Sequence, residues 1–308
     1  MIPSLPFSRR SFLVGSACVA GAVPLALTGC SSVLNPSADP VVRAAWGLAL
    51  RDVRELPEGA ARSVRSAHAD ALAGEVARAC GVREDGTSPE SCVAEPEELP
   101  AAPADDGATS LLSDARSSDT LIEGLDRRLA ADEEFDANLL AAVDGGLVLA
   151  LRAEGVDWDE LVPRAVELDE DDAGVFASAL SSEYALVYGM GVAAPRVPAE
   201  YRASTGTSAD RHRLLRDRVA SMIGSAGVTV PPAAPGYDVV DGAPDPSESA
   251  AEFAGTLEGA CATAWRDAFA SAKEPAARLF ALQAAGLAQA GAAVFRGEGE
   301  SALPGLSA

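Results

Sequence analysis

Four polar side chains of this sequence occupy positions where they could meet inside a helical bundle. Hydrophobic spacing puts one of them on the inward face of each of the last four predicted helices. These side chains are Glu183, His212, Glu258 and Gln283. Carboxylate and imidazole groups bind several divalent metals, so they could hold one cation where they converge. We favour the alternative, a buried network of hydrogen bonds and ion pairs.

The second of these helices also carries arginines that could pair with the carboxylates. They are Arg211, Arg213, Arg216 and Arg218. The same residues could form an anion-binding face, although in a chain with 46 acidic residues we favour pairing or solvation. His68, the other histidine, lies beside an apolar helical stripe and is predicted to be a partly buried structural residue.

Motifs for other chemistry are missing from the sequence. No Ser-His-Asp or Cys-His motif, glycine-rich phosphate loop or paired Cys-x-x-Cys spacing occurs. We therefore assign no catalytic residue. We expect no cofactor, with one divalent metal as the alternative.

The chain contains five cysteines, two of them within the first thirty residues. Cys80 ends a predicted helix, and Cys92 lies in the Pro- and Glu-rich loop that follows. In an oxidising compartment a disulfide between them would stabilise the fold by roughly 3 kcal/mol, and two free thiols are the alternative. Cys261 falls on an apolar helical stripe and is predicted to be a small buried residue.

The first thirty residues have the order of an export signal. Arg9 and Arg10 precede an apolar stretch over residues 12–27, and Leu-Thr-Gly-Cys ends at Cys30. The arginine pair resembles a twin-arginine signal, and Leu-Thr-Gly-Cys resembles a lipobox. These resemblances imply that a signal peptide over 1–29 is removed, that the Cys30 thiol is lipidated, and that residues 30–40 form a tether. An uncleaved transmembrane anchor is the alternative, but glycines and a proline interrupt the apolar run.

A lipidated Cys30 predicts a protein held at the outer face of the cytoplasmic membrane, because two acyl chains give a stable anchor. The chain has a net charge of −22, which becomes −24 when Arg9 and Arg10, the only charged residues of the signal, are removed. So acidic a chain repels phosphates, which argues against nucleic acid as a partner. The expected partners are the membrane, through the lipid, and another protein of the cell envelope.

Hydrophobic repeats of helical period predict an all-α fold. Residues 41–168 form an N-terminal helical region of four predicted helices, with a loop over 81–107 and a break over 155–163. Residues 169–308 contain four more, with a connection over 228–246 that is long enough to cross a bundle from end to end. The acidic run over 169–172 is predicted to cap the first of them.

Four motifs of the second half occur in the order found in one known family. They are EYALVYG at 183–189, RHRLLRD at 211–217, VPPAAPGY at 230–237 and LPGL at 303–306. With them, this half resembles a ferritin-like domain family of unknown function that is found in bacterial twin-arginine lipoproteins. The resemblance covers about residues 170–308. It implies a four-helix bundle with a long crossover and brings no established activity.

Di-iron bundles use a Glu from each of two helices and Glu-x-x-His from each of the other two. This chain contains no Glu-x-x-His, and Gly286 stands where Gln283 would need a histidine partner. An amide and a glycine cannot replace a carboxylate and an imidazole, so ferroxidase chemistry is not expected.

These observations predict a membrane-anchored extracytoplasmic lipoprotein that acts as a non-catalytic binding or scaffold protein of the cell envelope. Two alternatives stay open. One is a metal-binding or redox protein with unusual ligands. The other is a small-molecule binding protein, which would need a pocket between the two halves.

Overall fold

Helices make up the regular structure of the chain, as seen in a computed structural model that describes residues 38–81, 86–93, 116, 119–131, 137–237 and 247–306. The helices are α1 Pro40–Glu55, α2 Ala60–Cys80, α3 Asp119–Ala131, α4 Ala137–Ala153, α5 Trp158–Leu161, α6 Glu170–Ala193, α7 Arg202–Ser225, α8 Ser247–Ser271 and α9 Pro275–Arg296. No strand occurs in these described ranges, so the predicted all-α class is confirmed. Cys30 lies outside the described residues.

Helix ends carry the capping residues that the backbone requires. The Asp39 carboxylate accepts hydrogen bonds from the first backbone N–H groups of α1. Asp169 accepts one from the Asp172 N–H at 2.7 Å, which confirms the acidic run as the cap of α6. Pro275 occupies the first turn of α9, and Gly297 ends that helix in the left-handed conformation, with φ 73°.

Two helices are buried along most of their length and hold the others together. Every residue of α4 from Leu139 to Leu151 is buried, and most of α9 is as well. A helix that is buried all round belongs to the interior of a fold. The two pack on each other, so helices on both sides of the predicted boundary at 168/169 share one core.

The last four helices pack in a set that leads to the candidate site. α6 packs on α7 and on α8, and α8 packs on α9. The connection from α7 to α8 is described as far as residue 237 and begins along α6: the Tyr184 hydroxyl donates to the Pro231 carbonyl at 3.3 Å. Tyr188 and Tyr237 pack with ring centroids 5.5 Å apart. These contacts join two of the four family motifs.

A disulfide joins Cys80 at the end of α2 to Cys92 in a short 3₁₀ turn, with an S–S distance of 2.09 Å. It closes a loop with a sequence separation of 12. Cys261 is free and buried on α8. None of the helices described in the structure is both long and apolar enough to cross a bilayer.

Candidate functional site

His212 lies on α7 between two carboxylates from neighbouring helices. Its Nδ1 is 2.7 Å from Oε2 of Glu183 on α6, and its Nε2 is 3.0 Å from Oε2 of Glu258 on α8. All three side chains are completely buried. Three of the four candidate residues therefore meet at one point, where three helices face one another.

The remaining oxygen of Glu183 is held by two donors from α8. Oε1 accepts hydrogen bonds from the Cys261 thiol, at 3.1 Å, and from the Trp265 indole N–H, at 2.7 Å. A spacing of four residues puts both donors on one face of the helix. The Trp265 ring packs against Phe176 and Phe280, at centroid distances of 5.3 and 5.7 Å, and these contacts hold the indole in place.

The remaining oxygen of Glu258 is held by two donors from α7. The Ser208 hydroxyl donates to Oε1 at 2.5 Å, and Arg211 donates to the same oxygen from Nη2. Gly291 on α9 leaves room for this pair. A Cβ at that position would lie 2.0 Å from the Arg211 Nη2 and 2.5 Å from the carboxyl carbon of Glu258.

These side chains form one hydrogen-bonded group, which we call the His212 cluster. Its members are Glu183, Ser208, Arg211, His212, Glu258, Cys261 and Trp265. Every carboxylate oxygen in it accepts at least one hydrogen bond, as buried carboxylates require.

The charges of the His212 cluster are balanced. Burial alone would lower the pKa of His212, but the Glu183 and Glu258 carboxylates raise that pKa to about 9. Burial alone would raise the pKa of Glu258, but Arg211 and His212 hold it at about 2. With His212 protonated, the two carboxylates face one imidazolium and one guanidinium, and these four charges sum to zero.

Glu183, His212 and Cys261 are also the residues here that could hold a metal ion. One ligand atom from each lies within 4.8 Å of the others. A metal needs a neutral imidazole and a thiolate. Both nitrogens of His212 instead face carboxylates. Burial, followed by the Glu183 charge, raises the pKa of the Cys261 thiol well above its ordinary value. The arrangement fits a protonated ion pair better than a metal centre.

Gln283 lies away from the His212 cluster, which corrects the position predicted for it. Its Nε2 donates to the backbone carbonyl of Arg116 at 2.7 Å. Gly291, about two turns further along α9, is the residue that faces His212's neighbours. Small apolar residues fill most of α9, so hydrophobic spacing could not decide which of its faces met which helix.

Gly286, like Gln283, lies away from the His212 cluster. Gly286 faces Asp144 of α4, and a Cβ there would lie 2.2 Å from Oδ2 of that carboxylate. Asp144 is ion-paired with Arg116 at 3.0 Å. The Asp144–Arg116 ion pair is separate from the His212 cluster, and its carboxylate lies between α4 and α9.

Only one of the four candidate arginines of α7 joins the His212 cluster. Arg211 does so, whereas the others bind elsewhere: Arg213 to Asp210, Arg216 to Asp217, and Arg218 to the carbonyls of Val162 and Pro163. The four therefore do not act together as one anion-binding face.

The other histidine belongs to a second buried group, which we call the His68 cluster. Nη1 of Arg65 is 2.9 Å from Nδ1 of His68, and Nε2 of His68 is 2.7 Å from the Ala302 carbonyl. Because arginine can only donate, Nδ1 accepts and the ring hydrogen lies on Nε2. Asp52 accepts hydrogen bonds from Arg65 at 2.7 Å and from Arg51 at 2.6 Å. Burial and then the Arg65 charge lower the pKa of His68 to about 3.

Sequence reasoning did not find the His68 cluster. It gave His68 no partner and expected partial burial, whereas the side chain is completely buried. Arg51 and Asp52 are adjacent on α1 and are almost fully buried. Adjacent charged residues usually lie on a solvated helix face, so their burial left no signal in the sequence.

Comparison with known proteins finds a match for the C-terminal part of the chain. Residues 175–308 match a family described as a domain of unknown function, DUF4439. A solved structure, that of a conserved hypothetical protein from Mycobacterium tuberculosis, is 30% identical over 41% of this chain and 95% of the other, with a TM-score of 0.39. No curated protein matches the chain. The resemblance of the second half is thereby confirmed as one to a domain of unknown function, and the function must be argued from the site.

Proposed function

We propose that this protein is a lipid-anchored, non-catalytic binding or scaffold protein of the cell envelope. Its second half is a ferritin-like bundle in which the His212 cluster takes the place of a metal centre. One observation carries the proposal: both nitrogens of His212 face carboxylates, and Arg211 brings a second positive charge to the same group. The imidazolium and the guanidinium supply the positive charge that a metal ion would otherwise bring.

The His212 cluster would serve as a structural cross-link of the bundle. It joins α6, α7 and α8 through hydrogen bonds between fully buried side chains. Removing one of its charged members leaves an uncompensated charge, so the group favours one arrangement of the helices over others. A rigid bundle of this kind is suited to presenting surfaces to a partner.

Metal content tests the non-catalytic reading directly. We expect the purified protein to contain no stoichiometric iron, manganese or zinc when it is analysed by elemental mass spectrometry. The His212→Gln variant is the control, because background metal on the acidic surface should be equal in both proteins. One or two metal ions per chain that are lost in the variant would contradict the proposal.

A metal-binding protein is the second candidate, because Glu183, His212 and Cys261 lie close enough to share one ion. Cobalt(II) is the probe, since a thiolate ligand would give it an intense charge-transfer absorption. We expect no such band in the native protein. A stoichiometric band that disappears in Cys261→Ser would favour this candidate instead.

The anchor is tested separately, at Cys30. Lipidation predicts a mature chain that begins at this cysteine, carries a diacylglyceryl mass and partitions into detergent. Cys30→Ser should abolish both the added mass and the membrane association. An unmodified thiol, or a mature terminus at another residue, would remove the anchor from the proposal.

A further inference from the structure

A cavity of about 410 Å³ lies beside the His212 cluster, between helices from the two halves of the chain. Its walls come from α4, α5, α7 and α9, and its lining includes Arg152, Trp158, Ser204, Thr207, Arg211 and Phe295. Cavities of this size hold small organic ligands in proteins. The space therefore suits a ligand and not only water.

Arg211 connects this cavity to the His212 cluster. It donates a hydrogen bond to Glu258, and its guanidinium carbon lies 4.4 Å from the centre of the Trp158 ring. Its Nε is buried and has no hydrogen-bond partner. The side chain is only 3% exposed, so it contributes a fixed and nearly desolvated positive group to the wall. A buried donor without a partner is costly unless a ligand or water satisfies it.

Arg152 supplies a second guanidinium. Its central carbon lies 5.4 Å from the centre of the same Trp158 ring, so one indole positions both arginines. Arg152 donates a hydrogen bond to the Val156 carbonyl, and its acidic neighbour is Asp157, at 3.5 Å, whose side chain is 83% exposed. Exposed ion pairs contribute little to stability in water. A ligand anion could therefore replace Asp157 as the acidic partner while Arg152 keeps its hydrogen bond to the Val156 carbonyl.

The rest of the lining adds uncharged donors and apolar surface. Ser204 and Thr207 are three residues apart on α7 and contribute hydroxyl groups from one side of that helix. Leu149, Val294 and Phe295 contribute apolar contacts. Among the residues that line the described cavity there is no Asp or Glu, although the whole chain has a net charge of −22.

The charge balance favours a ligand with a single negative charge. Arg211 already forms an ion pair with the buried carboxylate of Glu258. Among the described residues that line the cavity, Arg152 is then the cation whose acidic partner, Asp157, is exposed. A carboxylate carries one charge and fits the fork of a guanidinium, whereas a phosphate monoester carries nearly two.

We propose that this cavity is a binding site for a small organic carboxylate with an apolar body. Arg152 and the two hydroxyls hold the carboxylate, Arg211 offers its unpaired donor, and the apolar part lies against Phe295. The site gives the proposed binding role a ligand class. It depends neither on the lipid anchor nor on the absence of metal, so its tests fail or succeed independently of theirs.

The first test uses 3-phenylpropionate as the probe and 3-phenylpropionamide as a neutral control of nearly the same shape. Binding is followed through the indole N–H resonances of the ¹⁵N-labelled protein, with Trp158 as the reporter and Trp46 on α1 as the internal control. We expect the Trp158 resonance to shift in a saturable way as the acid is added. The affinity for the amide should be lower than that for the acid by roughly tenfold or more. Equal binding of acid and amide, equal shifts at both indoles, or no saturation at millimolar concentrations would overturn the proposal.

The second test uses variants with matched controls. Arg152→Gln should weaken binding of 3-phenylpropionate roughly tenfold. Arg213→Gln removes an equal charge from an arginine that pairs with Asp210 outside the cavity, and it should leave the affinity unchanged. Ser204→Phe should abolish binding by filling the space. Circular dichroism melting verifies that each variant is folded.

Two results of the variant series would contradict the site. One is unchanged affinity in Arg152→Gln, and the other is an equal loss in Arg213→Gln. Inorganic phosphate provides a further arm of the experiment. Phosphate that displaces the probe at lower concentration than acetate does would overturn the assignment to carboxylates.

Discussion

The two histidines of this chain are equally buried, yet their surroundings favour the protonated ring at one and the neutral ring at the other. Carboxylates face both nitrogens of His212, which raises its pKa to about 9. A guanidinium and a backbone carbonyl face those of His68, and its pKa is lowered to about 3. Burial lowers the pKa of both histidines; at His212 the two carboxylates outweigh it, whereas at His68 burial dominates and the Arg65 charge adds to it.

Each cluster also depends on a glycine in the helix that faces it. A Cβ at Gly146 would lie 1.9 Å from the Ala302 oxygen and 2.6 Å from Nε2 of His68, and Gly291 has the same role beside Arg211. The His212 cluster joins α6, α7 and α8, whereas the His68 cluster joins α1 and α2 to the backbone at Ala302. The first is a balanced group of ions, and the second ends in a neutral imidazole.

The largest loss of stability is expected from breaking the charge balance around His212. Glu258→Gln removes one carboxylate and leaves His212 and Arg211 with too little negative charge. We expect it to lower the free energy of unfolding by about 3–5 kcal/mol, measured by urea denaturation. Glu252→Gln, at an exposed position on the same helix, is the control and should change it little. Equal effects of the two would show that the buried charge is unimportant.

The next largest effect is expected at the glycine beside that group. Gly291→Ala forces its methyl group against Arg211 and Glu258 and should cost about 2–3 kcal/mol of unfolding free energy. Gly206→Ala is the matched control, because Gly206 lies within α7 with open space around its Cβ position. That control should stabilise the protein by roughly 0.5–1 kcal/mol. A tolerated Gly291→Ala would contradict the described packing of α9.

The pH dependence of stability separates the two histidines. Below pH 6.5 the raised pKa of His212 contributes its full stabilisation, which is lost as the pH rises through about 9. The lowered pKa of His68 acts in the opposite direction, and its stabilisation is lost as the pH falls from 6.5 towards 3. Each histidine contributes a slope of about 1.4 kcal/mol per pH unit within its window.

Single variants assign the two slopes to their residues. His212→Gln should flatten the alkaline limb between pH 6.5 and 9, and His68→Gln should flatten the acidic limb between pH 6.5 and 4.5. Below pH 4.5 Glu258, whose pKa is held at about 2, also loses its contribution to the free energy of unfolding. An alkaline limb that persists in His212→Gln would mean that another group produces it.

The smallest loss is expected from the neutral histidine at neutral pH. His68→Gln keeps an acceptor for Arg65 and removes no charge, so we expect a cost of about 1–2 kcal/mol in the free energy of unfolding at pH 7. His212→Gln should cost clearly more, because it leaves two buried carboxylates facing one guanidinium. A larger loss for His68→Gln would reverse the comparison drawn between the two clusters.

The sequence could predict the all-α class and part of the His212 cluster, for physical reasons. Helical spacing put Glu183, His212 and Glu258 on inward faces, and a polar residue at an inward position needs a partner. The spacing could not assign the faces of α9, because small residues surround Gln283 and Gly291 alike. That helix is buried on most sides, and its pattern therefore carries little directional information.

The hydrogen-bond donors to Glu183 and the cavity beside the His212 cluster could be found only from the structure. Cys261 and Trp265 follow the apolar stripe of α8, so their hydrogen bonds to Glu183 leave no polar signal in the sequence. Arg152 and Arg211 are 59 positions apart in the chain and contact the same Trp158 ring. Contacts of this kind depend on how helices pack, which local periodicity does not determine.

The ionisation state of His212 tests the account most directly. In a ¹⁵N NMR titration of the folded protein, we predict that both ring nitrogens of His212 carry hydrogen at pH 7 and that the ring loses a proton near pH 9. His68 in the same spectra serves as the neutral reference, with one bare nitrogen. A neutral His212 at pH 7, or one whose nitrogen resonance changes on addition of zinc or iron, would contradict the proposal that this cluster replaces a metal centre.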